Sequence, residues 1–208
     1  MKVTLLTRIN TIESHRLLPT FVNVHTGCAC TLPVKKSSAA KKNWVPPTGL
    51  NYKENVDGAV FSAQKTAGVG VVIRDNECHF IAGLSKKLNL PLGAIETEAT
   101  TVEVGITFAG EIGIRDFVLE GDSLIMIQAL SDSALAPSSV ASLVYGIAVA
   151  AYDFRSVKFS HVCRNGNILA HLLAKHALGI VDYCDWNEKS SCFIEQALLH
   201  DVSMAFTN

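Results

Sequence analysis

The sequence predicts an α/β domain over about residues 50–180, built as a mixed five-stranded sheet of three antiparallel strands followed by crossover units, flanked by helices. Three observations lead there. Three strand-like runs follow one another at hairpin spacing after residue 51, the hydrophobic period then changes from two to steps of three and four, and strands and helices alternate from that point on.

The first run is Tyr52–Phe61, the second Ala67–Arg74 with Val69, Val71, Val72 and Ile73, and the third His79–Leu84. Gly68, Gly70 and the Asp75-Asn76 pair punctuate them as hairpin turns do. Ile95, Ala99, Val102, Ile106 and Ala109 then draw the stripe of an amphipathic helix. Phe117–Glu120 reads as a short strand, Asp122–Leu130 and Ser138–Tyr152 as helices, Val157–Ser160 as a strand and Ile168–Leu178 as a last helix. The greasy stretch Val140–Ala151 reads as a buried helix, and no apolar run reaches the ~18 residues that span a bilayer.

On either side of this block the pattern fades. Residues 1–49 show no sustained period and close on Trp44-Val-Pro-Pro-Thr-Gly49, a linker signature. They are read as a basic leader that packs little against the domain, and residues 181–208 as a C-terminal tail. The leader's acid-poor, Ser/Thr-containing composition loosely resembles a transit peptide, and a disordered leader or the remnant of an upstream reading frame accounts for it equally. Residues 1–50 carry seven Lys/Arg against Glu13 alone, so the net charge of −1 leaves the remainder at −7. An acidic domain does not hold a polyphosphate through its overall field. Six cysteines lack the spacing of a zinc site or disulfide framework, which favours reduced thiols and an intracellular setting, nucleus or cytoplasm.

Three carboxylates stand out against the pattern. Asp57 lies within a strand, where Asp is a poor strand former. Glu98 sits beside the apolar stripe of its helix, where burial of a charge is costly without a neutralising cation. Asp122 stands where a strand gives way to a helix, the kind of junction at which α/β sheets gather ligands. Singly, each has an ordinary explanation: a turn cap, a lysine partner, a helix N-cap. Only the fold can bring them together, and carboxyl carbons within roughly 8 Å of one another would let them share a metal pair.

Four blocks carry a family resemblance: Tyr52–Ala59 with Ala67–Asp75; Thr97-Glu-Ala99 continuing to Gly105; Leu119-Glu-Gly-Asp-Ser123; and Arg164-Asn-Gly-Asn-Ile-Leu-Ala-His-Leu-Leu-Ala174. In this wording the chain resembles the RNase H-like domain of plant proteins related to retrotransposon reverse transcriptases, over roughly residues 50–201. The resemblance implies an RNA–DNA hybrid ribonuclease in which Asp57, Glu98 and Asp122 hold two Mg²⁺ ions, with Mn²⁺ as a possible substitute, to hydrolyse the RNA strand. It implies a hybrid as partner, no membrane, and a monomer.

The pattern departs from many such enzymes in one place. A fourth carboxylate on the last helix is replaced here by His171, which can ligate through a neutral ring nitrogen or move protons. It is also read as catalytic. Gly58, His161, Arg164 and Asn167 are candidate nucleic-acid contacts. His161 falls near a position of a proton-handling histidine, and Asn167 is most simply an N-cap. The segment joining the two middle helices has no lysine or arginine, so the basic helix with which several relatives grip the hybrid is missing. A catalytically weak binding or interaction module derived from a retroelement is therefore the alternative.

Overall fold

In the computed structural model, which describes residues 43–49, 52–132 and 134–205, the three early runs form an antiparallel meander. These are β1 (Tyr52–Phe61), β2 (Thr66–Arg74) and β3 (Phe80–Leu88). The turn into β3 is closed by Asp75, whose carboxylate accepts from the backbone N–H groups of Glu77 and His79 at 2.9 and 2.8 Å. Helix α1 (Ala94–Glu111) then crosses back to β4 (Asp116–Gly121), which lies parallel to β1. Helices α2 (Leu124–Leu130) and α3 (Ala141–Ala151) lead to β5 (Ser156–His161), parallel to β4, and α4 (Ile168–His176) follows.

The sheet has six strands where five were expected. Tyr183–Asn187, placed in the tail by the sequence reading, is β6, paired antiparallel with β3 from Ala82–Asn187 to Lys86–Tyr183. The order is β5-β4-β1-β2-β3-β6. An open edge on β3 would leave a row of unpaired backbone groups, and β6 covers it. The tail continues as α5 (Cys192–Ala205), whose fully buried Ile194 joins Val72, Phe80, Leu169 and Leu173 in a second apolar cluster. His176 of α4 stacks on Phe193 at 4.5 Å, with Trp186 of β6 edge-on to both, so the three late elements lock together.

The boundary expected at residue 50 falls too late. Trp44 is 1% exposed: its indole N–H donates to Asn55 Oδ1 at 2.9 Å, and the Arg74 guanidinium lies 3.6 Å from its ring centroid. Lys53 Nζ donates to the Val45 carbonyl and pairs with Glu120 at 3.0 Å. Arg74 reaches on to Asp201 of α5 at 2.9 Å. A tryptophan in a Pro-rich segment thus anchors the chain instead of linking it. Expectations for residues 1–42 lie outside the described residues.

Helix α3 also differs from its reading as buried. Only Ile147 is fully enclosed within it, while Tyr145 stands largely in solvent. A helix apolar all round still buries only the side on which its neighbours pack, here α1 foremost and α2 beside it.

Two close approaches set the layers around β1. A Cβ on Gly58 would meet Thr97 Cγ2 of α1 at 2.8 Å, so the glycine lets the start of α1 settle on the strand. A Cβ on Gly70 would fall 2.1 Å from the Ala170 carbonyl oxygen of α4. No side chain fits there, and α4 lies directly on β2.

Candidate active site

The pairing of β1 with β4 stops at Val56–Gly121. The next residues along the chain are Asp57, still within β1, and Asp122, just past the end of β4, so both carboxylates stand where the pairing ends. Glu98 arrives from the first turns of α1, whose seat on β1 depends on Gly58. One ligand atom from each of Asp57, Glu98 and Asp122 lies within 4.8 Å of the other two. Asp57 is buried, the other two half-buried. The expected proximity of the three is therefore present.

This proximity has an electrostatic signature. Burial, then the charges of Asp122 and Glu98, then a hydrogen bond with Asp122 push Asp57 up to about 8, with only Arg164 pulling down. Burial and Asp122 push Glu98 up to about 7, again opposed by Arg164. Three carboxylates are packed together with too little positive charge to balance them. Their oxygens are hard donors of the kind Mg²⁺ and Mn²⁺ take, so the residues fit a divalent ion.

His171 comes from α4, delivered by the contact of that helix with Gly70. Its Nδ1 lies 2.6 Å from Asp57 Oδ2. Burial, then Arg164 and Lys175, hold the imidazole below its ordinary value, with Asp122 pulling the other way. At this distance Nδ1 and Oδ2 share one proton, and the ring and the carboxyl group are held as a pair. The Arg164 guanidinium in turn lies 3.4 Å from His171 Nδ1. His161, at the end of β5, puts Nε2 3.1 Å from the Asp122 backbone carbonyl, which ties the imidazole to the strand end that carries Asp122.

Asn167 does not cap α4 with its side chain. Its amide donates instead to the Val56 carbonyl at 2.8 Å, the last backbone acceptor before Asp57. It braces the strand end that presents the carboxylate. Gly58 likewise acts in packing, as a gap that admits α1. Asp122 precedes Ser123, the N-cap position of α2, and stands free of that role. Two residues at the site were not named for it from the sequence: Thr97, quoted there only as part of a motif, whose methyl fills the gap over Gly58, and Lys175, one turn beyond His171 on α4.

A six-stranded mixed sheet, with three carboxylates gathered where its central parallel strands part, defines an RNase H-like fold. The family described as reverse transcriptase-like matches residues 55–177, and the chain belongs to it. Among solved structures it is similar to RNase H1 from the archaeon Halobacterium salinarum, at 22% identity and TM-score 0.55, covering 62% of this chain and 98% of the other. It is similar also to the N-terminal RNase H domain from Mycobacterium tuberculosis, at 19% identity and TM-score 0.57, covering 63% and 95%. LC11-RNase H1, solved in complex with an RNA/DNA hybrid, aligns at 18% identity and TM-score 0.50 over 62% and 97%. No curated protein matches the chain.

Proposed function

We propose that this domain is an RNA–DNA hybrid ribonuclease that cleaves the RNA strand by divalent-cation-dependent hydrolysis. The observation that carries the reading is the meeting of Asp57, Glu98 and Asp122 within 4.8 Å, uncompensated, at the parting of β1 and β4. The likeness to RNase H1 structures, one of them solved with a hybrid, supports the same substrate.

Asp57, Glu98 and Asp122 are the residues that would hold Mg²⁺, two ions in the full reading. Bound there, the cations supply Lewis acidity to the attacking water and to the leaving 3′ oxygen. The chain's own residues set the rest. Asp57 and Glu98 must give up their protons to serve as ligands, and Asn167 and Gly58 keep both carboxylates in place. His171, touching Asp57, positions that carboxylate or carries a proton near it.

A gel assay with labelled hybrid, single-stranded RNA and duplex DNA tests the proposal. Mg²⁺-dependent scission of the RNA in the hybrid alone is the expected result. Intact hybrid at all cation concentrations would favour the second reading, a binding or interaction module. That reading draws on the uncharged stretch 133–152, which displays Tyr145 and Tyr152 where a basic grip would serve a nuclease.

A further inference from the structure

Beside the carboxylates, on the side away from α1, the end of β1 and the face of α4 enclose a hollow of about 520 Å³. It is lined by Gly58–Phe61 at the end of β1 and by Leu178, with Arg164, His171 and Lys175 as its polar members. Arg164 meets only the His171 ring among its described side-chain contacts, and Lys175 forms no ion pair among the described residues. Two cations outside any ion pair among the described residues thus face one cavity, with the charge of Arg164 also felt by Asp57 and Glu98, in a domain that is otherwise acidic.

We propose that this hollow is a phosphate subsite, in which Arg164 and Lys175 hold the backbone phosphate next to the one under attack while Phe61 and Leu178 pack against its sugar. The inference rests on the ribonuclease reading for the identity of the strand. It answers a difficulty in that reading: three carboxylates repel a polyanion, and the loop between α2 and α3 carries no lysine or arginine to offset them. A fixed pair of cations in the hollow gives the strand a hold next to the carboxylates. The guanidinium suits a phosphate's two oxygens and the ammonium adds a point charge. Phe61 and Leu178 match the CH-rich edge of a ribose and would gain nothing from a free inorganic anion.

The test measures hybrid binding by fluorescence anisotropy across a salt series, in the full chain carrying Asp57→Asn so that the substrate survives. Arg164→Gln and Lys175→Gln together should weaken binding on the order of tenfold and flatten the log–log salt slope by about one per cation removed. Lys189→Gln, which deletes a lysine elsewhere on the surface, should leave the slope in place. Equal affinity and slope with and without the two cations would overturn the subsite, as would the same loss in Lys189→Gln. The two readings fail separately. If the chain without Asp57→Asn cleaves hybrid while the slope does not respond, the ribonuclease stands and the subsite falls. If it cleaves nothing, the same salt series on single-stranded RNA decides: a flattened slope keeps a phosphate site, and an unchanged one removes it.

Discussion

Strand β1 carries two clusters of buried ionisable groups a few residues apart, and they are built on opposite terms. Around Lys53 and Asn55 every charge has an answer: Lys53 pairs with Glu120, Arg74 with Asp201, and Asn55 bridges Trp44, Arg74 and Glu120. Two residues on, Asp57 meets Glu98 and Asp122, and among the described residues Arg164 is the cation whose charge offsets them. Compensation marks the first cluster as structural. The uncompensated charge of the second costs folding energy and makes sense only if something positive is to be held there.

The sharpest way to break the comparison is at Asp57. Asp57→Asn should take hybrid cleavage to background while leaving the melting temperature equal or higher, because it relieves repulsion among three carboxylates. A fall in melting temperature with activity retained would make Asp57 a structural residue like its neighbours. His171→Ala should reduce the rate less, since proton transfer or positioning of this kind contributes roughly 10²–10⁴-fold. Single-turnover cleavage at saturating cation separates the two variants, and equal losses would put His171 on a par with the carboxylates.

The compensated cluster should respond the other way. Asp201→Ala leaves Arg74 buried without its partner, a change that costs about 3–5 kcal/mol. Trp44→Ala removes a buried ring for a similar cost, about 3–5 kcal/mol. Because both side chains meet at Arg74, the double variant should lose less than the two single losses combined. Urea unfolding reads all three. Strict additivity would mean the network is a set of independent contacts.

Glu54, between the two clusters but on the α1 side of the strand, belongs to neither. It is fully enclosed, both its oxygens lack a hydrogen-bond partner, and burial raises its carboxyl from 4.5 to about 8. The folded state therefore keeps the proton while the unfolded chain releases it. Stability from this group is fully present below about pH 4.5 and drains away as pH rises towards 8. Glu54→Leu should stabilise by a few kcal/mol at pH 8 and by little at pH 4. Denaturation curves at the two pH values check this, and an equal gain at both would show that the ionisation is not felt.

Much of this was legible beforehand, for identifiable reasons. The meander and the α1 stripe declare themselves because apolar residues repeat at the period of the element, and Asp57, Glu98 and Asp122 stand out by interrupting it. The sixth strand did not: Tyr183–Asn187 is half-exposed, holds Asp185 at its centre, and gains its identity only from the β3 edge. Trp44 was hidden by its prolines, since its partners Asn55, 11 residues on, and Arg74 beyond it meet the ring only once β1 and β2 have paired. Asp201, 127 residues from Arg74, looks like an ordinary helix-surface acid until α5 is docked. Asn167 stands at an N-cap position and spends its amide on Val56, a choice no local pattern encodes.

The central claim is that the carboxylates on β1, on α1 and just past β4 gather a cation to cut RNA paired with DNA. The most direct measurement follows a hybrid labelled on each strand in turn, with the full chain, in Mg²⁺ and then in excess chelator, beside Asp57→Asn. The account predicts scission of the RNA strand only, abolished by chelator and absent from the variant. Cleavage that persists in chelator, or that Asp57→Asn performs as well as the unaltered chain, would contradict it.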